Sequence, residues 1–164
     1  MTSYLRSATI VVVLSTFASA PLFAQAPTTT NGATMSRATG GFDVKVTPQE
    51  DKTDPAIARM VLDKQFHGDL EATSKGEMLA AGGAKGTGGY VAIEIVTGKL
   101  GGHTGTFALQ HSGSMIDNAF TLIITVVPGS GTGELTGLTG KMNITIAPGG
   151  KHSYDFDYTL PAAK

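Results

Sequence analysis

Three short runs of alternating apolar and polar residues, separated by glycine-marked turns, constrain the fold of this chain more than any other feature. They fill residues 89–127. In the middle run, Phe107, Leu109 and His111 occupy alternate positions, which is the two-residue period of a strand with one buried face. The next run repeats this period with Phe120, Leu122, Ile124 and Val126. The pattern predicts consecutive β-hairpins.

The same period predicts eight strands joined by short loops. We place them at residues 41–47, 56–70, 71–81, 90–97, 104–112, 118–127, 141–147 and 152–160. The second stretch also fits a helical period, and we interpret it as a strand because it leads into the next strand-like run without a helix cap. The 22 glycines and the many Thr, Val and Ile residues agree with an all-β chain that has tight turns.

Eight consecutive strands with one apolar face each cannot bury those faces as a flat sheet, and the sequence offers no helix to cover them. A closed barrel or a two-sheet sandwich would bury the faces and pair the edge strands. Because long Greek-key crossovers are absent, we predict an all-β, eight-stranded antiparallel up-and-down barrel. A barrel of this size is either filled by side chains or holds one small ligand.

The N-terminal residues are predicted to direct export. Arg6 precedes a short apolar block and then small residues, which is the layout of a secretory signal peptide over 1–24. The apolar block is too short for a stable membrane anchor. Residues 25–39 are polar and without a period, so we predict a disordered linker before a barrel domain over 40–161. The mature protein is expected to be periplasmic or secreted.

The charge of the chain excludes partners that need a basic patch. The formal net charge is −1, and it becomes −2 once the signal peptide is removed, because Arg6 is the one charged residue of that segment. Nucleic acid and anionic membranes are therefore not expected as partners. The glycines of 128–140 miss the spacing of phosphate-binding loops, and the histidines at 67, 103, 111 and 152 lack metal-ligand spacing. We expect no cofactor and no metal, and leave a homo-oligomer open.

A set of residues across the predicted barrel carries a family resemblance. It spans residues 40–160 and rests on Tyr90, Glu94, Gly98, Leu100, Gly105, Phe107, His111 and residues 128–138. These residues resemble a bacterial domain family of unknown function whose members adopt barrels similar to allene oxide cyclase. The resemblance implies an allene oxide cyclase-like barrel. It implies no activity, because the family has no established one and a shared fold does not transfer a reaction.

One face of the predicted barrel interior carries ionisable side chains. Counting from the predicted turns puts Glu94 opposite Phe107, and it puts His111 opposite Tyr90 on one side and Phe120 on the other. A carboxylate inside an apolar barrel is costly unless it is paired or protonated, so Glu94 and His111 are the candidate catalytic acid–base residues. Alternatively, Glu94 only satisfies buried polarity or faces solvent. The candidate ligand-binding residues are Tyr90, Phe107, Leu109, Phe120, Leu122 and Tyr154.

Three functions are compatible with these residues. The leading expectation is an exported barrel that binds a small, largely apolar ligand without a cofactor. The second is a cofactor-free cyclase or isomerase of an unsaturated substrate, in which Glu94, His111 or Tyr90 places charge or a proton. In the third, the barrel interior is filled and the outer surface has a structural or partner-binding role.

Overall fold

The computed structural model describes residues 34–50 and 53–162, which form a closed, eight-stranded antiparallel barrel. Each strand pairs with the next along the chain, and the last pairs with the first, so the predicted up-and-down topology is confirmed. The strands are β1 (Thr34–Gln49), β2 (Ile57–Gly68), β3 (Leu70–Gly82), β4 (Gly88–Leu100), β5 (His103–Ile116), β6 (Ala119–Val126), β7 (Thr139–Ile146) and β8 (His152–Leu160). No helix in these two ranges is long and apolar enough to span a membrane.

Strand β1 begins before the boundary that the sequence predicts. Residues 34–39, predicted as the end of the linker, pair with β8, and Ala38 lies across from Phe156 with only 1% of its surface exposed. This stretch carries small and polar side chains, so its sequence lacks an apolar period, although closing the barrel requires a partner for the edge of β8. The predicted signal peptide and the first part of the linker, residues 1–33, lie outside the described residues.

The β4–β5 hairpin turns one residue later than the sequence predicts. The turn is centred on residues 101–102, where both glycines have positive φ (55° and 91°). Glu94 therefore pairs with Leu109 rather than with Phe107, and the partner of Tyr90 moves by the same two residues. Because the side-chain period of a strand is two, this shift leaves every side chain on its predicted face.

The pairing register of the β5–β6 hairpin also differs from the prediction by an even number of residues. It turns at Asp117 and Asn118, whose positive φ angles of 50° and 65° suit a tight two-residue connection. His111 consequently pairs with Ile124 and not with Phe120. The predicted face of His111 is nevertheless correct, and its side chain points into the barrel.

The glycine-rich connection between β6 and β7 closes one end of the barrel. Leu135, in a 3₁₀ turn over Gly133–Leu135, and Leu138 are 0% and 1% exposed and join the hydrophobic core. In the same core the rings of Phe107 and Phe156 stack with centroids 5.8 Å apart. The connection therefore packs over the barrel end, and the interior at this closed end is filled by side chains.

Removing a leucine from this closing loop should destabilise the barrel as a core substitution does. We expect Leu135→Ala to lower the free energy of unfolding by about 3 kcal/mol, through lost burial and the cavity left behind. The control Leu79→Ala changes a side chain that is 42% exposed on β3, and it should change that free energy by less than about 1 kcal/mol. Urea denaturation of both variants measures the difference, and equal effects would contradict the packing role of the loop.

Candidate functional site

The end of the barrel opposite the closing loop is open. A cavity of about 160 Å³ enters the interior there, and a groove of about 300 Å³ adjoins it at the rim. Met78, Tyr90 and Phe120 line both the cavity and the groove. The apolar wall of the cavity includes Val46, Leu62, Leu122, Ile144 and Ile146. The barrel is thus packed at one end and hollow at the other.

A buried ionic cluster lies at the level where the packed and hollow parts meet. The Glu94 carboxylate is fully buried, and its Oε1 lies 2.9 Å from Lys64 Nζ and 3.0 Å from His111 Nε2. Its other oxygen, Oε2, accepts a hydrogen bond of 2.7 Å from Ser74 Oγ. Lys64, Ser74 and His111 are 5%, 1% and 3% exposed. Both carboxylate oxygens are therefore satisfied, as a buried charge requires.

The four residues of this cluster come from four consecutive strands. Lys64 on β2 pairs directly with Ser74 on β3, and Glu94 on β4 pairs with Gly76 on β3. At position 76 a Cβ atom would lie 2.6 Å from the Glu94 Cβ, so glycine leaves the space that the glutamate occupies. Strand alternation then directs these side chains inward at neighbouring positions.

The cluster fixes the protonation state of Glu94. Burial by itself raises the pKa of the Glu94 carboxyl, but the hydrogen bond from His111 and the charge of Lys64 outweigh burial and lower the pKa from 4.5 to about 2. Burial, and then the Glu94 charge, raise the pKa of Tyr90, so that its hydroxyl keeps its proton at neutral pH. Glu94 is therefore an ionised and weakly basic carboxylate.

The polar side chains that line the cavity are Lys64, Tyr90, His111 and His152, while Glu94 lies behind them. Lys64 Nζ lies above the ring of Phe42, 5.0 Å from its centroid. In the described part of the chain, no group of three or more His, Cys, Asp or Glu side chains is arranged to hold a metal ion. The lining of the cavity thus includes one cationic side chain, Lys64, and no carboxylate.

The structure divides the predicted site residues into two sets. Tyr90, Phe120 and Leu122 line the cavity, and the Tyr90 and Phe120 rings stack with centroids 6.4 Å apart. The other three are buried at the packed end and line neither the cavity nor the groove. They are Phe107 (1% exposed), Leu109 (0%) and Tyr154 (2%). Their side chains point inward as predicted, but they lie too deep to reach the open end.

Tyr154 has a structural role instead. Its hydroxyl accepts a hydrogen bond of 2.9 Å from the Leu70 backbone N–H and donates one of 3.2 Å to the His67 carbonyl. These bonds attach the β2–β3 connection to β8.

The predicted acid–base pair of Glu94 and His111 does meet, at 3.0 Å, together with two residues that the sequence analysis missed.

Those two residues are Lys64 and Ser74. A signal for Lys64 was present in the sequence, because it lies midway between Leu62 and Phe66 on the apolar face of a strand. A lysine on such a face indicates a buried partner of opposite charge. Ser74 carried no comparable signal, since small hydroxyl side chains occur on either face of a strand.

Comparison with known proteins identifies the family. A family model described as "Protein of unknown function (DUF3224)" matches residues 38–158. The chain belongs to this family. A DUF3224 protein of unknown function from Shewanella oneidensis MR-1, known from a crystal structure, is 51% identical, with a TM-score of 0.72. The match covers 79% of the present chain and 100% of the Shewanella chain. No curated protein matches the sequence.

The family comparison confirms the predicted membership in a bacterial family of unknown function, and the barrel fits it. The likeness to allene oxide cyclase stays a prediction, because no comparison tests it. The DUF3224 match includes all four residues of the ionic cluster and the whole cavity lining, since both lie within residues 38–158.

The low pKa of Glu94 predicts a specific dependence of stability on pH. Since folding lowers this pKa, ionised Glu94 stabilises the barrel above about pH 4.5, and that contribution of about 3 kcal/mol is lost as the pH falls towards 2. Wild type and Glu94→Gln should therefore differ most in free energy of unfolding near neutral pH. More than half of the difference should be gone at about pH 3.

Urea denaturation at several pH values measures this effect, because the other carboxyl groups are common to both proteins. Glu77→Gln is the control: the Glu77 side chain is 57% exposed, and its pKa is lowered by a hydrogen bond from Arg59 on the outer wall. This control should show a much smaller dependence. A difference between wild type and Glu94→Gln that stays constant with pH would contradict the low pKa.

Proposed function

We propose that this DUF3224 protein binds a small, largely apolar ligand in the open end of its barrel, without a cofactor. The observation that carries the proposal is the contrast between the two ends: one is packed with leucine and aromatic side chains, and the other encloses about 160 Å³ between apolar walls. An apolar cavity with a few convergent polar groups is the usual form of a small-molecule site. Export to the periplasm or the medium is part of the proposal and rests on the predicted signal peptide.

The volume limits the size of the ligand. A protein cavity of roughly 150 Å³ can hold one benzene molecule, so the cavity here suits one ring or a short aliphatic chain. A larger ligand would extend into the adjoining groove of about 300 Å³, past Tyr90 and Phe120. The groove is lined by small and apolar side chains such as Ala58, Ala80 and Met115.

The geometry favours binding over acid–base catalysis by Glu94. A carboxyl group with a pKa of about 2 is a weak base at neutral pH, and it has no proton to donate. Glu94 also lies behind Lys64 and His111 and does not line the cavity. A cyclase or isomerase mechanism would therefore depend on His111 or Tyr90, the cavity-lining residues of the predicted set.

The packing at the closed end agrees with a barrel whose interior is filled, but the packing at the open end does not. At the closed end, side chains such as Leu109 and Phe156 leave no exposed surface. At the open end, Leu122 and Ile144 are only partly buried although they point inward, so a space remains between them. That unfilled space favours a small-molecule ligand over a protein partner.

A thermal-shift screen of fatty acids, terpenoids and small aromatic compounds tests the proposal. A ligand present at about 100 times its Kd should raise the Tm by about 5 °C or more. Leu122→Trp should abolish the shift, because the larger side chain would fill the cavity. Ile123→Trp is the matched control on the same strand, since Ile123 faces outward with 58% exposure, and it should keep the shift.

Two outcomes would contradict the proposal. One is the absence of any shift across the whole screen. The other is a shift that survives in Leu122→Trp and disappears in Ile123→Trp, which would place the ligand on the outer wall of the barrel.

A further inference from the structure

We infer that the ligand is a small monocarboxylate, with an apolar ring or short chain that fits the cavity and a carboxylate that faces Lys64. This inference rests on the proposed function and names the chemical class of its ligand. The observation behind it is which side chains of the ionic cluster reach the cavity. Lys64 and His111 line the cavity, and Glu94 lies behind them.

The buried ion pair contributes its cationic residue, and not its carboxylate, to the lining of the cavity. Lys64 Nζ and Glu94 Oε1 are 2.9 Å apart, and of the two residues only Lys64 lines the cavity. Neither the cavity nor the adjoining groove has an Asp or Glu in its lining. A ligand anion would therefore approach a cation without meeting a carboxylate, while a ligand cation would meet Lys64 first.

Lys64 has more N–H donors than it uses within the described residues. An ammonium group has three N–H donors, and among the described residues Lys64 donates to one oxygen, Glu94 Oε1. On its other sides lie the rings of Phe42 and Phe66, with centroids 5.0 and 5.7 Å from Nζ. A ligand carboxylate would replace such a weak cation–π contact with a charge-assisted hydrogen bond.

His111 supplies a second polar atom. Its Nε2 lies 3.0 Å from the Glu94 carboxylate, which holds the ring hydrogen on that nitrogen. Nδ1 has no hydrogen-bond partner in the described ranges of the chain, and the side chain lines the cavity. With the hydrogen on Nε2, Nδ1 is the acceptor of the ring, so the donor that a ligand carboxylate meets is Lys64.

A comparison of head groups on constant apolar bodies tests the inference. Titration calorimetry of the wild-type protein with benzoate, benzamide and benzylamine changes only the polar end, and hexanoate, hexanamide and hexylamine repeat the comparison on a chain. We expect the carboxylate of each set to bind at least about tenfold more tightly than the amide, as a charge-assisted hydrogen bond would give. The amine should bind most weakly.

A matched pair of double variants assigns the preference to the buried pair. Lys64→Met with Glu94→Gln removes both charges together, so that no buried charge is left alone, and it should reduce the preference for carboxylate over amide to less than about threefold. Lys75→Met with Asp63→Asn is the control, since it removes an ion pair of 3.6 Å between exposed side chains on the outer wall. The control should keep the wild-type preference.

The outcomes separate this inference from the proposed function. Binding of all three head groups with equal affinity, or tightest binding of the amine, would overturn the carboxylate assignment and leave a ligand-binding barrel. Absence of binding by every compound of both sets would overturn both. The wild-type comparison decides the matter even where the double variant fails to fold, and a carboxylate preference that survives in the folded double variant would also overturn the assignment.

Discussion

The ion pair between Lys64 and Glu94 is the interaction on which the interior of this barrel depends. Taking two charges out of water costs several kcal/mol for each, and only close pairing with further hydrogen bonds offsets that cost. His111 and Ser74 provide those bonds, at 3.0 and 2.7 Å, from the strands on either side of β4. The barrel can therefore carry a charged layer between its packed end and its open end.

The size of the inward side chains along β5 explains why only one end is filled. From the closed end towards the mouth, these positions hold Phe107, Leu109, His111 and Gly113. The glycine makes room for the ring of Tyr90, because a Cβ atom there would collide with that ring. The volume filled by side chains thus decreases towards the mouth, and the polar side chains of the charged layer form the floor of a cavity.

The sequence predicts which face of a strand a side chain occupies better than it predicts how far along the barrel axis the residue lies. Alternation identified eight strands and placed Glu94 and His111 inside, and the errors in both hairpin registers were even numbers of residues that preserve the faces. Depth depends on strand tilt and stagger, which alternation does not encode. Phe107 and Tyr154 were therefore assigned to the right face but to the wrong end of the barrel. Lys64 was missed although it lies between Leu62 and Phe66 on the apolar face of its predicted strand.

A double-mutant cycle on Lys64→Met and Glu94→Gln tests most directly whether this pair determines the interior. Urea denaturation of the wild type, both single variants and the double variant gives the coupling free energy of the two side chains. Each single variant leaves one buried charge without its partner charge, so we expect each to be less stable than the double variant, with a coupling of about 2–3 kcal/mol. Additive effects of the two substitutions would contradict the account, because they would mean that the barrel tolerates either group without the other.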